Sequence, residues 1–383
     1  MNNFTFHNPV KVHFGKGKVE KISKEVKDYK KILLVYGTSS IKDFGIYNQV
    51  IELLEGKEVY ELSGIRPNAK VDKVYEGIEL CKENDIDFVL AVGGGSVIDS
   101  AKAIALAAKT NHDFWDYFFL KGNKPSELID LGTVLTVSCN GSELDATCVI
   151  TNPKTKQKRY YNDPTLFPKF SVIDPTYSFT VPKTQIISQS IDVISHILEE
   201  YFSKPTYTTT TDYLSEALLK SVIKNVEISL ADSKNYQARA NLSWAGSLAV
   251  SGLISLGKEG DWTSHKIEDA LSAHFDIPHG LGLSAIHPNY LKYIYKDHIE
   301  KFKHFALEVF QVNPVAKSDE EIALEGIERL QDFFEELGAP IRLRDLKVDE
   351  ESLEKISKDI ELNQASYSKL ESYDIFQILK SSY

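Results

Sequence analysis

Apolar residues in the first half of the chain come in short unbroken runs, whereas in the second half they recur every three or four positions. Short runs bounded by turn residues read as buried strands. They occur at KKILLVYG (30–37), EVYEL (58–62), DFVLAVGGG (87–95), GTVLTV (132–137), TCVIT (147–151) and FSVID (170–174), and the residues on either side of Tyr160 also read as extended. Segments of helical period separate them. The clearest is Val71–Asn84, where Val71, Val74, Tyr75, Ile78 and Cys81 share one face. Strand and helix in alternation imply a parallel sheet covered by helices. Beyond Pro182 the strand-like runs nearly vanish, and helical patterns follow at Thr184–Phe202, Thr208–Asp232, Tyr236–Leu256 and Trp262–Phe275, with several more to the end. The expected organisation is an α/β nucleotide-binding domain over 1–182 and an all-α domain over 183–383, joined without a low-complexity linker.

Bulk composition narrows the function. A chain of 383 residues exceeds what one compact core usually serves. The 55 acidic side chains outnumber the 44 basic ones, for a net charge of −11, and no basic run is longer than Lys154–Arg159. Such a surface repels phosphate backbones, so no nucleic-acid partner is expected. Cys81, Cys139 and Cys148 are an odd set without CxxC spacing, which argues against a disulfide framework or a thiolate metal site. The start, MNNFTFHNPVKVHFG, lacks the basic and apolar regions of a signal peptide. No apolar stretch approaches the roughly 20 residues of a membrane span. A soluble cytoplasmic protein with no membrane partner is expected.

Two constellations carry chemistry. AVGGGSVIDSAK (91–102) follows a strand and opens a helix. Gly93, Gly94 and Gly95 allow close backbone approach, and Ser96 falls where an N-cap belongs. Backbone N–H groups and the helix dipole then make a pyrophosphate site. The spacing is not GxGxxG, so it names no dinucleotide by itself, and a tight turn without ligand is the alternative. The second constellation is Asp192, His196, His265 and His279. Asp192 and His196 are four apart in a helical pattern and face the same way. His265 begins another helix, and His279 follows it across Ile277–Pro278. One carboxylate and three imidazoles suit Zn²⁺ or Fe²⁺. An Asp–His pair alone would read as a surface ion pair; with the glycine loop upstream, the metal reading is the better one.

GGGSVIDSAK, IDVISHILEEY, DWTSHKIEDALSA and PHGLGLSAIHP, in this order and with FGKG at 14–17 and VIDP at 172–175, resemble the iron-containing alcohol dehydrogenases over essentially the whole chain. In texture the chain is most similar to the NADPH-dependent butanol dehydrogenase and aldehyde reductase branch. The resemblance implies a Rossmann-like N-terminal domain and a helical C-terminal domain (the dehydroquinate synthase-like fold), with the active site in the cleft between them. It implies one divalent metal on Asp192, His196, His265 and His279, whether Fe²⁺, Zn²⁺, Ni²⁺ or Mn²⁺. It assigns cofactor contacts to Gly93, Gly94, Gly95, Ser96, Asp99, Ser138, Ser142 and Lys158, with Lys102 and Asp145 nearby. Lys158 and Asp99 are the expected catalytic groups, a homodimer is the expected assembly, and a small alcohol or aldehyde is the substrate. One departure stands out. Many members carry a second histidine four residues after the third ligand, where this chain has Asp269. That puts an imidazole proton relay in doubt, with His274 or His287 as possible substitutes.

Cofactor choice is read from the loop after the first run, Gly37-Thr38-Ser39-Ser40, followed by Ile41-Lys42. NAD-selective enzymes commonly place an acid there for the ribose hydroxyls. This loop has none before Asp43, and offers hydroxyls, backbone N–H groups and one lysine instead, so NADP(H) is expected ahead of NAD(H). Three alternatives stay open: a polyol dehydrogenase of the glycerol type, a cyclising lyase on the same fold, and a non-catalytic nucleotide sensor with a structural metal.

Overall fold

The computed structural model describes residues 1–137, 141–361 and 366–383. Packing divides the chain into two units. One comprises His7–Val181 with Asp232–Ser251; the other comprises Met1–Phe6, Pro182–Ala231 and Gly252–Tyr383.

The first unit is built on a six-stranded parallel sheet. Its strands are β1 (Lys11–Phe14), β2 (Lys31–Tyr36), β3 (Glu58–Leu62), β4 (Phe88–Gly93), β5 (Asp130–Leu135) and β8 (Phe170–Ile173), in the spatial order β1-β8-β5-β4-β2-β3. β6 (Thr147–Asn152) and β7 (Gln157–Asn162) form a separate antiparallel hairpin. The apolar runs are unbroken because both faces are covered. Leu33, Val35, Val89 and Ala91 pack in one core with the Val71–Asn84 and Gly95–Ala107 helices. Ile32, Leu34, Phe88 and Leu90 point the other way, into a core with Ile46 and Val50. β1 escaped the sequence reading because KVHF is only four residues long and alternates polar with apolar.

Strand order positions the nucleotide loop. From β2 the sheet grows one way to β3; from β4 it grows the other way through β5, β8 and β1. β2 and β4 are parallel neighbours, with Tyr36 beside Val92, so the loops that leave them emerge together. That is the switch point at which open α/β sheets bind ligands.

Two segments depart from a linear division at residue 182: the first six residues and the stretch from Asp232 to Ser251. The helix expected over Tyr236–Leu256 ends at Val250, and Gly252 takes a positive φ of 87° just beyond it, a conformation that stops helices. This helix packs on the α/β unit. Ser247 Oγ donates to the Glu143 carboxylate, and Trp244 meets Phe14 edge-on at 5.7 Å. A Cβ on Gly141 would lie 2.6 Å from Gly246 O, so only glycine permits the approach. Periodicity showed that this helix buries a face, but not which unit buries it.

The other unit is helical. Its helices include Lys183–Tyr201, Thr209–Ala231, Thr263–Phe275, His279–Ile294, Ile299–Phe310 and Asp319–Glu336. At Gly280 a Cβ would fall 1.8 Å from Ser188 O, so glycine brings the His279–Ile294 helix against the Lys183–Tyr201 helix. Among the described residues, no helix is long and apolar enough to cross a membrane.

Candidate metal centre and nucleotide loop

Three helices place the four expected ligands. Asp192 and His196 sit one turn apart near the middle of Lys183–Tyr201; His265 is third in Thr263–Phe275; His279 is first in His279–Ile294, after Pro278. Asp192 Oδ1 is the hub: His279 Nε2 lies 3.5 Å from it, and His265 Nε2 and His196 Nδ1 each lie 3.8 Å from it. Those separations are too long for hydrogen bonds. They fit ligands around one ion, since metal–nitrogen bonds of about 2.1 Å in a tetrahedron set ligands about 3.4 Å apart. Asp192, His265 and His279 offer ligand atoms all within 4.8 Å of one another. His196 falls outside that radius, with its ring stacked on His265 at 4.6 Å.

The donor set passes a second test. Asp192 Oδ1, His196 Nδ1 and His265 Nε2 are buried without a hydrogen-bond partner among the described residues. Buried polar atoms are rarely left so, and two imidazole nitrogens each 3.8 Å from a carboxylate oxygen form a donor set that suits a cation. Electrostatics agree. Burial opposes charge on His265, but Asp192 and Glu199 outweigh it and push its imidazole up to about 10. Burial holds His196 neutral, at about 3. A pocket that draws a proton this strongly also draws a metal ion, with which the proton competes.

Sequence reasoning missed the groups behind the ligands. His265 Nδ1 lies 3.0 Å from Glu199 Oε1, and His279 Nδ1 is hydrogen-bonded to Glu268 Oε2. A signal existed: Glu199 is seven residues after Asp192, on the same helix face, and Glu268 is three after His265. Trp262 was also missed as a site residue. It holds a left-handed φ of 61°, unusual for a bulky residue, and its ring stands 5.2 Å from His265 and 5.7 Å from His196. Asp269 lies with Glu268 and His279 in a second group of potential ligand atoms within 4.8 Å. Neither proposed stand-in for the missing imidazole joins the cluster of Asp192, His265 and His279: His274 Nδ1 bonds Ala270 O in its own helix, and His287 is buried, with burial lowering its imidazole to about 4.

In the α/β unit, the glycine loop departs from expectation in one detail. The N-cap is Gly94, extended at φ −92° and ψ −169°, and its carbonyl accepts from the Val97 and Ile98 N–H groups. The helix therefore starts at Gly95, and Ser96 lies in its first turn instead of capping it. This exposes more first-turn backbone N–H to a ligand, because no side chain caps the end. A Cβ on Gly94 would meet Val137 at 3.3 Å, a tight contact to which Val137 would have to yield by a few tenths of an ångström.

Asp99 and Lys102, one turn apart on the helix behind this loop, brace the next segment. Ser142 Oγ donates to Asp99 Oδ1 at 2.6 Å and accepts from Lys102 Nζ at 3.0 Å. Val149 N donates to Asp99 Oδ2, and Lys102 Nζ also donates to Asp145 and to Thr147 O. Burial raises the Asp99 carboxyl to about 7. The buried Asp99 carboxylate thus engages Ser142 through one oxygen and the Val149 N–H through the other. Lys158 is partly exposed in β7, opposite Thr151. Ser138, expected at the cofactor, lies outside the described residues. Gly37 to Ser40 leave β2 at the switch point. Lys42, expected to meet a phosphate, is 3.7 Å from Glu61 and lies over the rings of Tyr36 and Tyr47.

A glycine loop at a switch point and a cluster of Asp192 with His265 and His279 fit a nucleotide-binding, metal-dependent enzyme. The chain belongs to the iron-containing alcohol dehydrogenase family: the family's model matches residues 9–175, and the model of its C-terminal region matches 186–383. It is 44% identical over 387 residues to probable NADH-dependent butanol dehydrogenase 1 of Bacillus subtilis, with both chains fully covered. It is 33% identical to the NADPH-dependent aldehyde reductase YqhD of Escherichia coli, over 94% of this chain and 93% of that one. The crystal structure of NADH-dependent butanol dehydrogenase A from Thermotoga maritima superposes with a TM-score of 0.96 at 37% identity, covering 100% of this chain and 99% of that one. An oxidoreductase of the alcohol dehydrogenase type, using a nicotinamide cofactor and an iron-type metal, follows from that membership.

Proposed function

We propose that this enzyme interconverts short-chain aliphatic aldehydes and alcohols, butanal and butanol among them, with NADPH preferred to NADH. Asp192, His196, His265 and His279 hold one divalent ion, Fe²⁺ or Zn²⁺. The observation that carries this reading is the convergence of unpartnered Asp192 Oδ1, His196 Nδ1 and His265 Nε2 in a buried pocket. When bound, the ion supplies Lewis-acid polarisation of the carbonyl, and the nicotinamide supplies the hydride. The chain's own residues do the rest. Asp192 and the three imidazoles fix where the substrate oxygen sits, Gly93–Ser96 hold the diphosphate through backbone N–H groups, and Asp99 and Lys102 hold Ser142 against the cofactor. The first test is butanal reduction by purified protein after metal stripping and after reloading with Fe²⁺ or Zn²⁺. Turnover that is equal with and without metal would sink the reading and favour a structural ion.

The preference for NADPH rests on the loop after β2. No carboxylate lies between Gly37 and Lys42. The nearby acid, Glu61, accepts hydrogen bonds from Tyr36 and Tyr47 and pairs with Lys42, so it is already committed. Of the relatives named above, the two of higher identity are named as NADH-dependent and the one of lower identity as NADPH-dependent, so the proposal rests on the loop's own chemistry and not on them. A Cβ at Gly37 would have only Ile65 O at 3.6 Å and Val97 Cγ2 at 4.0 Å nearby, and its φ is not left-handed, so aspartate fits. Gly37→Asp is expected to lower kcat/KM with NADPH by at least roughly tenfold while sparing NADH, since charge-assisted hydrogen bonds contribute about 1.5–3 kcal/mol each. Preference for NADH in the wild type, or no shift in the variant, would reverse the assignment.

Lys158 is proposed to lie beside the nicotinamide and substrate. Lys158→Ala should lower kcat/KM for butanal about 10- to 100-fold, with little change in Tm. Lys154→Ala, on the exposed turn of the same hairpin, is the control. Equal effects of the two substitutions would return Lys158 to an ordinary surface role. We also propose a homodimer in the cytoplasm, which sedimentation of the pure protein and fractionation of cells would check.

A further inference from the structure

We infer that Glu199 and Glu268 are positioning residues that lock His265 and His279 into one tautomer and one orientation, and thereby set how tightly the centre holds its ion. The inference rests on the metal site proposed above but concerns residues that are not ligands. An ionised carboxylate only accepts hydrogen bonds, so each contact places the proton on Nδ1 of the histidine. Nε2 is then the nitrogen turned toward Asp192, and it is Nε2 of both rings that lies within 3.8 Å of Asp192 Oδ1. Negative charge at Nδ1–H also makes the opposite nitrogen a better donor to a cation.

The two acids are held in different ways. Glu199 lies on the helix that carries Asp192 and His196, and its Oε1 accepts from both the backbone N–H and Nδ1 of His265. It therefore fixes the main chain and the ring of that ligand together. Glu268 lies in the helix that carries His265 and reaches across to His279 in the next. Its other oxygen accepts from Ser272 Oγ, which is also 3.2 Å from Ile277 O, in the turn leading to His279. Gly282 makes room for this acid: a Cβ there would lie 2.7 Å from Glu268 Cγ and 2.8 Å from Oε1. The second glycine of the HGLG run is thus explained by a carboxylate and not by the ion. Both acids are essentially fully buried, where an ionised group persists only with committed partners.

The experiment measures ion retention as well as turnover. Wild type, Glu199→Gln, Glu268→Gln and Gly282→Ala are loaded with Co²⁺ or Zn²⁺ and titrated with a chelator. Glutamine keeps the size and removes the charge; the alanine leaves every ligand and acid in the sequence but displaces Glu268. All three variants should bind the ion roughly 10- to 100-fold more weakly than wild type. In the Zn²⁺-loaded wild type, long-range ¹H–¹⁵N spectra of labelled histidine should show two rings bound through Nε2 with slowly exchanging Nδ1–H protons. This readout stands even if a variant fails to fold. Retention within twofold of wild type in folded glutamine variants overturns the inference and leaves the site assignment intact, as does coordination of either ring through Nδ1. A wild type that takes up no ion overturns both.

Discussion

His265→Ala should leave a folded protein with little bound metal and activity reduced by ~10³-fold or more. Lewis-acid stabilisation contributes several kcal/mol to carbonyl chemistry, and each 1.36 kcal/mol is a factor of ten. His265 is the ligand most deeply built into the site: Glu199 holds its main chain and ring, and His196 stacks on it. Its removal also leaves Glu199 buried with only a backbone N–H for that oxygen, a cost of about 1–3 kcal/mol. A modest fall in Tm should therefore accompany the loss of metal. Elemental analysis, a melting curve and butanal reduction check the three parts. Wild-type turnover in the presence of a chelator would remove His265 from the site. Cofactor titration should be unaffected, because His265 is not part of the glycine loop at 91–102.

Gly94→Val is expected to do the converse, with metal content unchanged and cofactor affinity reduced about 10- to 1000-fold. The range corresponds to one or two lost charge-assisted hydrogen bonds at about 1.5–3 kcal/mol each. Gly94 caps the helix with its own backbone, and among the described residues no side chain makes a capping hydrogen bond to the first turn. A valine brings Cβ within 3.3 Å of Val137 on one side and projects methyl groups over the anion position on the other. Fluorescence titration with NADPH and with NADH checks it. An unchanged dissociation constant for both would show that the loop is only a tight turn. Together the two variants separate the functions: one loses metal and keeps cofactor, the other keeps metal and loses cofactor.

Local chemistry explains what the sequence by itself determined. Buried parallel strands are apolar on both faces, so β2 and β4 stand out as unbroken runs, and the Val71–Asn84 helix is delimited by its own periodicity. Gly93–Gly95 and the Asp192/His196 pair were legible because each is a local pattern at fixed spacing. The ordered motifs then tied His265 and His279 to the same centre by resemblance.

What only the tertiary structure decided involves choices of partner. The Tyr236–Val250 helix has the periodicity of any buried helix, and only packing shows that Ser247 and Trp244 face the α/β unit. That Asp99 reaches Ser142 and the Val149 N–H, 43 and 50 residues further along the chain, is likewise seen only in the fold. Glu199 and Glu268 stand beside Glu200 and Asp269 in the sequence. Folding carries each of them from one helix to a histidine on another. Spacing along a helix is fixed by its 3.6-residue turn and can be read from the chain. Contacts between helices are set by where glycines such as Gly280 and Gly282 let backbone and side chain close together, and that becomes visible only in three dimensions.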